Sequence, residues 1–344
     1  MNGDRIASLV ISKYNSLPNN GKPLIRSNGV KEWTILAGIV VHNTSTDALE
    51  CVALGTGVKA CSEAIISDCK GQILHDCHAE ILAIRAFNLY IIENGQENIG
   101  DIYLYISAPP CGDASMSLLN GGEDWSKGDD EEKQLIRGRA HYNRLGVIRT
   151  KPGRVDSQLT MSKSCSDKLC LRQTRGLLLS PVKYLNAVKV PDAPDLFLTA
   201  LVCPVVLPDF HRAFTRWNPI HPFKYLQTNI VFPGGNDADI IKYANMKSNN
   251  EANTNVELTP TTLDAKKTAP SPLSIVWTPD HREVIANGIK QGSKKTPSIV
   301  SRCKIAELVC SATNVHPKLY SGFKAKSCSW PAGWIRTSAD DFEL

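Results

Sequence analysis

No run of apolar residues in this 344-residue chain approaches the length of a membrane span. The longest, near Trp33 to Val41, is about half of the roughly 20 residues a bilayer requires, which excludes a helical membrane anchor. Also missing from the first residues, MNGDRIASLVISKYNSLP, is the basic segment, apolar run and small-residue cleavage site of a secretory signal. The expectation is a soluble intracellular protein, cytoplasmic or nuclear. Its eleven cysteines then sit in a reducing compartment, where thiols serve as core residues or metal ligands and disulfides are disfavoured. Charge is not in excess either: a net +5 is too small to diagnose a nucleic-acid partner by itself. No internal repeat is present.

What the sequence does contain suits a globular enzyme. Apolar residues make up 42% and charged residues 21%, enough to bury a sizeable core in one elaborated domain spanning residues 1–344. Residues Glu32 to Val41 and Cys51 to Leu54 are short β-branched runs separated by a polar turn, as in a strand pair. Residues His78 to Ile92 carry Ile81, Leu82, Ile84 and Phe87 at helical spacing, with His78 in the first turn. Residues Asp101 to Ser107 alternate as a strand does, and Pro109 and Pro110 stop it. The CGDASMSLL that follows reads as a helix, so strand and helix alternate and an α/β core is expected. Residues 244–272, rich in Asn, Thr, Ser and Pro, read as a long mobile internal loop.

Two motifs carry chemistry. His78-Ala79-Glu80 opens a helix, and Pro110-Cys111-Gly112-Asp113 lies at the next strand-to-helix turn; in that order they match the H-x-E and P-C halves of a zinc-deaminase signature. Imidazole and thiolate suit Zn²⁺, and a helix N-terminus beside Cys111 would favour its thiolate. Glu80 need not bind the metal. Beside a water that zinc makes acidic, it can take the proton and deliver it to departing ammonia. A histidine in an amphipathic helix is usually a core residue and P-C-G is a common turn, so the weight rests on the pair. A third ligand is needed, and the usual cysteine three positions after Cys111 is replaced by Ala114. The segment from Ser164 to Lys168 offers Cys165, with Cys170 as competitor. Cys51, Cys61 and Cys203 lie in apolar or unremarkable contexts and read as packing residues. Downstream of an acidic stretch from Glu123 to Glu132, residues 137–154 hold six Arg or Lys and no acid, a stretch able to grip phosphates or simply to be solvated.

LAGIV (Leu36 to Val40), GTGVKAC (Gly55 to Cys61), DCHAEI (Asp76 to Ile81), PCGD (Pro110 to Asp113) and SCSDK (Ser164 to Lys168) together resemble the adenosine deaminases acting on RNA, including their tRNA-specific branch. The resemblance runs from about Glu32 to the C-terminus. It implies a three-layer, cytidine-deaminase-like α/β core with a mixed sheet, elaborated by a C-terminal helical region that binds an inositol polyphosphate. It implies zinc on His78, Cys111 and Cys165, with Glu80 catalytic, and inositol hexakisphosphate caged by Arg85, Lys168, Arg172, Lys304, Tyr320, Lys324 and Trp334. Asp76 and Lys168 would link that cage to the zinc site. Burying a polyanion offsets the desolvation of cations that could not be buried alone. In this chain Leu171 and Arg172 stand where other basic and aromatic positions are familiar, and the segment between Lys324 and Trp334 is shorter than the family's terminal helix.

The implied activity is hydrolytic deamination of adenosine to inosine in tRNA, at the adenosine just 3′ of the anticodon of alanine tRNA, without an obligate protein partner. Lys59, Arg149, Lys151 and Arg154 would meet RNA phosphates. An editor of double-stranded RNA is the alternative, but about 30 residues before LAGIV leave no room for its usual RNA-binding domain. A catalytically silent RNA-binding subunit would have no need of Glu80. A free-nucleoside deaminase would carry the closely spaced cysteine pair that is missing here.

Overall fold

The apolar runs of the first hundred residues become the centre of one mixed sheet. The structure, a computed structural model, describes residues 1–66, 69–119, 136–151, 157–251, 267–292, 294–324, 331, 333–334 and 342–344. The strands are β1 (Lys31–Trp33), β2 (Leu36–Asn43), β3 (Ala48–Thr56), β4 (Val58–Ala60), β5 (Asp76–His78), β6 (Ile99–Ile106) and β7 (Ile136–Arg137). They continue as β8 (Arg149–Thr150), β9 (Ala200–Cys203), β10 (Lys224–Gln227), β11 (Thr268–Pro270), β12 (Leu273–Trp277), β13 (Arg282–Ala286) and β14 (Ile289–Lys290). The helices are α1 (Gly3–Ser16), α2 (Glu63–Ile66), α3 (Ala79–Asn94), α4 (Cys165–Arg175), α5 (Ser180–Lys189), α6 (Asp209–Thr215), α7 (Asp237–Glu251), α8 (Arg302–Thr313) and α9 (Ser321–Lys324).

The eight-stranded sheet has the order β10-β9-β6-β2-β3-β12-β13-β14. Strands β6, β9 and β10 run parallel to one another and the remaining neighbours are antiparallel. The first six residues of β2 are all buried, because both faces of the sheet are covered. Side chains alternate across the strand, so Leu36 and Val40 join the cluster under α1, whereas Ala37, Ile39 and Val41 join the larger cluster around α3. Three layers result. Helix α1 presents Ile6, Val10 and Tyr14 on one stripe, with the Asn2 side chain capping its first turn. Asp4 ties it to the loop after β10 by accepting from Thr228 Oγ1 (2.7 Å) and the Asn229 amide (2.6 Å). Helix α3 is buried almost all round, between the sheet and helices α5 and α8. At Gly55 a Cβ would stand 2.6 Å from the Ala79 carbonyl, so only glycine lets β3 approach the start of α3 this closely.

Two expectations are corrected. The supposed loop 244–272 begins as the last part of α7 and ends as β11 and the turn into β12, with residues 252–266 outside the described ones. Strand β11 pairs with β1, which anchors a segment whose polar composition alone suggested solvent. The residues after Cys111 form a 3₁₀ stretch, Asp113–Leu119, broken at Ser115, in place of an α-helix. The acidic stretch from Glu123 to Glu132 lies outside the described residues. No helix among the described residues is long and apolar enough to cross a membrane.

Candidate active site

Three chain segments converge beneath the C-terminal end of β6. The hairpin of β4 and β5 delivers His78 as the residue that caps α3, its amide held by Asp76 Oδ1 at 3.0 Å. Pro109 and Pro110 end β6 and turn Cys111 back under the sheet. Ser164 caps α4 by accepting from the Asp167 amide, which sets Cys165 in the first turn. The Ser166 amide and hydroxyl both donate to the Cys111 carbonyl at 3.0 Å, sewing the second segment to the third. Gly112, at φ +100°, allows this approach, since a Cβ there would lie 2.2 Å from Ser164 Oγ.

The outcome is a cluster of His78, Cys111 and Cys165 whose ligand atoms lie within 4.8 Å of one another. His78 Nδ1 is 3.8 Å from Cys111 Sγ and 3.4 Å from Cys165 Sγ. Tetrahedral zinc with N and S ligands at about 2.1 and 2.3 Å would separate such atoms by about 3.6 Å, so the donor set and spacing fit that ion. The expected helix N-terminus does act on Cys111, but it belongs to α4: the Cys165 amide donates to Cys111 Sγ at 3.3 Å. A hydrogen bond from Cys165 holds the Cys111 thiol well below its ordinary range against the opposing effect of burial, and Lys151 and His78 lower it further. Burial pushes Cys165 up, as does the adjoining Cys111. Glu80 is buried in the first turn of α3, and burial raises its carboxyl above the usual range while His78 opposes the shift.

Lys151 and Arg149 are where the structure departs most from the sequence reading. Lys151 is not a phosphate contact: its side chain is 2% exposed and its ammonium donates to Asp76 Oδ2 (2.6 Å) and Cys165 Sγ (3.3 Å). Lys168 also pairs with Asp76 and donates to Ser162 Oγ (2.8 Å), while Ser162 Oγ reaches Asp76 Oδ2 at 3.2 Å. Burial pushes the Asp76 carboxyl up, but the two lysines outweigh it and hold it below the carboxylate range. Burial would lower Lys151, and Asp76 and the thiols reverse the sign. Arg149 is wholly buried and spends its guanidinium on main-chain carbonyls, so it is not a phosphate contact either. Lys59 is exposed on β4, and Arg154 lies outside the described residues.

The residues expected to cage a polyanion are only partly brought together. Arg85 is half-buried, donates Nε to the Val300 carbonyl at 2.6 Å, and leaves Nη2 buried without a hydrogen-bond partner. Its pKa is pushed down to about 10 by burial, with Tyr320 opposing and Arg302 and Arg172 adding to the fall. Arg302, which sequence reasoning missed because nothing distinguishes it from a surface arginine, lies against the rings of Tyr320 and Phe342. Lys304 is a correction: its side chain is 41% exposed and paired with Glu307 at 2.6 Å, one turn further along the outer face of α8. Trp334 packs edge-on to Trp217 at 5.8 Å, beside the Lys163 ammonium. Lys324 closes α9, and its side chain lies outside the described part.

Residues 53–99 match the adenosine-deaminase (editase) domain family. Across 89% of the chain and 84% of the relative, the sequence is 34% identical to tRNA-specific adenosine deaminase 1 of Schizosaccharomyces pombe. It is 40% identical to the protein of that name from Saccharomyces cerevisiae over 56% of this chain and 59% of that one. A double-stranded RNA-specific adenosine deaminase of Mus musculus is 29% identical over 33% of this chain and 11% of the relative. The family match and these relatives place the chain, with its mixed α/β core, among the hydrolytic deaminases. Given the extent and identity of the first match, this chain belongs to the tRNA-specific adenosine deaminase family.

Proposed function

We propose that this chain deaminates adenosine to inosine in tRNA, at the base just 3′ of the anticodon of alanine tRNA, using zinc held by His78, Cys111 and Cys165. The observation that carries the reading is the three-residue cluster at zinc-ligand spacing with Glu80 buried beside it. Bound zinc supplies the Lewis acidity that makes water nucleophilic near neutral pH. Glu80 would carry one proton of the attacking water to the purine N1 and the other to the amino group, which leaves as ammonia. Its burial favours the protonated form, which suits a group that must hold a proton between two transfers. Lys151 supplies positive charge beside the Cys165 sulfur. An unpaired anticodon-loop base is cheap to extrude, which fits a pocket reached by a single flipped nucleotide.

Purified protein incubated with total tRNA should convert adenosine to inosine at one position of alanine tRNA, read by sequencing. Conversion of long duplex RNA with alanine tRNA untouched would favour the double-stranded editor instead. In the same assay Glu80→Gln should retain zinc and lose activity by at least about 10²–10⁴-fold, as expected for a lost general acid/base. Undiminished turnover in that variant would remove Glu80 from the mechanism.

An inositol polyphosphate is the second ligand of the proposal. The buried, partnerless Nη2 of Arg85 and the neighbouring Arg172 and Arg302 form an interior group of like charges that a polyanion would neutralise. Of the earlier cage, Arg85, Arg172 and Tyr320 support this reading, whereas Lys168 is spent on Asp76 and Ser162 and Lys304 on Glu307. Protein made in cells unable to synthesise inositol hexakisphosphate should be insoluble or unfold well below the normal temperature. Normal thermal unfolding there would dispose of the idea.

A further inference from the structure

Arg149 is the largest wholly buried side chain in the described structure, and its charge faces backbone. Its Nη1 donates to the carbonyls of Gly138 (3.1 Å) and Ala140 (2.6 Å), and its Nη2 to those of His141 (2.9 Å) and Arg144 (2.7 Å). Four carbonyls of one loop therefore converge on one guanidinium. The loop reverses at His141, which takes a left-handed conformation with φ +45°. Both ends are fastened to the active site. The Gly146 amide donates to Asp113 Oδ1 at 3.0 Å, two residues after Cys111, and the Arg149 amide donates to Asp167 Oδ2 at 3.0 Å, two residues after Cys165. Asp113 is held in turn by Arg212. Between these anchors Asn143, Arg144 and Leu145 are exposed, with Leu145 showing 49% of its surface.

We propose that Arg149 is a positioning residue that moulds residues 138–146 into a preformed rim beside the zinc pocket, and that this rim, through Arg144 and Leu145, meets the RNA flanking the target base. The inference rests on the reading of the chain as a tRNA deaminase. A loop of nine residues without regular structure would ordinarily sample many conformations, and ordering it on binding would cost affinity. A planar fork with five N–H donors can satisfy four carbonyls at once, which an ammonium cannot, so lysine is no substitute. Arg144 thereby offers a cation to a phosphate from a fixed point, and Leu145 an apolar face to a base edge or ribose.

The experiment is chemical rescue of full-length Arg149→Ala. Its loop amides, residues 138–146, should exchange hydrogen at least tenfold faster than in the unmodified protein, and tens of millimolar guanidinium should restore their protection by filling the vacated site. With an alanine-tRNA transcript the variant should show KM raised about tenfold or more, kcat within threefold, zinc content unchanged, and guanidinium should bring KM back. Arg144→Ala should raise KM severalfold with no change in loop exchange. Loss of zinc in Arg149→Ala without guanidinium rescue would make Arg149 a general fold residue and overturn the proposal. An unchanged KM in both variants would overturn the RNA-facing role of the rim. The exchange arm uses no RNA, so it judges the scaffold even if the unmodified protein proves inactive on the transcript, a result that would count against the substrate reading instead.

Discussion

Replacing Cys165 with alanine is expected to abolish both zinc retention and deamination, whereas Cys170→Ala keeps both. The two cysteines lie five positions apart on α4 and are both buried, yet they face different neighbours. Cys165 Sγ lies 3.4 Å from His78 Nδ1 and receives the Lys151 ammonium at 3.3 Å. Cys170 Sγ lies 3.5 Å from the Phe214 carbonyl, and burial raises its thiol. Two protein ligands do not make a catalytic zinc site, which needs three with a fourth position open. Metal analysis of each purified variant decides the matter. A zinc-free Cys170→Ala beside a loaded Cys165→Ala would reverse the assignment.

Lys151→Met should have the next largest effect. Two consequences follow from one buried ammonium. The thiolate of Cys165 loses a charged donor, and loss of such an outer partner typically lowers metal affinity by about 10–100-fold. Asp76 loses one of its two lysines, and breaking a buried pair costs about 3–5 kcal/mol when the other charge is left alone. Because Lys168 still reaches Asp76, the lower end, about 3 kcal/mol, is expected in urea unfolding at fixed free zinc. Adding Asp76→Asn should recover part of that loss, since the remaining carboxylate is then removed. A variant with unchanged zinc affinity and an unshifted unfolding midpoint would show that Lys151 does not support the site.

The contrast between Lys151 and Cys165 explains what could be read before the structure. Residues whose function depends on what they are, an imidazole or a thiolate, announce themselves by type and by the turns that hold them. DCHAE, PCGD and SCSDK were legible in that way, as were β2, β3, β6 and α3 from their apolar spacing. Arg149 and Lys151 have functions that depend on where they are. In a basic run they look solvated, and only the carbonyls around one and the carboxylate beside the other reveal that each is buried. Arg302 and Lys304 show the same limit two residues apart: one turns inward against Tyr320 and the other outward to Glu307, a choice set by the rotation of α8. Strand β11 was missed because its three residues gain their order from β1, more than two hundred positions earlier.

The three members of the His-Cys-Cys cluster also stand far apart along the chain. From His78 to Cys111 is 33 positions, and from Cys111 to Cys165 is 54. An ion that joins them closes two large loops in the unfolded polymer, as a pair of crosslinks would, and the entropy so removed grows only with the logarithm of loop length, about 0.6 kcal/mol for each doubling. The metal would thus act as a staple for chain topology as well as a reagent, and its arrival would be late in folding, after β6 and α4 have found each other across more than fifty residues. Under metal starvation, newly made chains would hold α4 against the end of β6 without that staple, so the amides of α4 would open more often to exchange and proteolysis, and supply of the ion would bear on the amount of protein that survives.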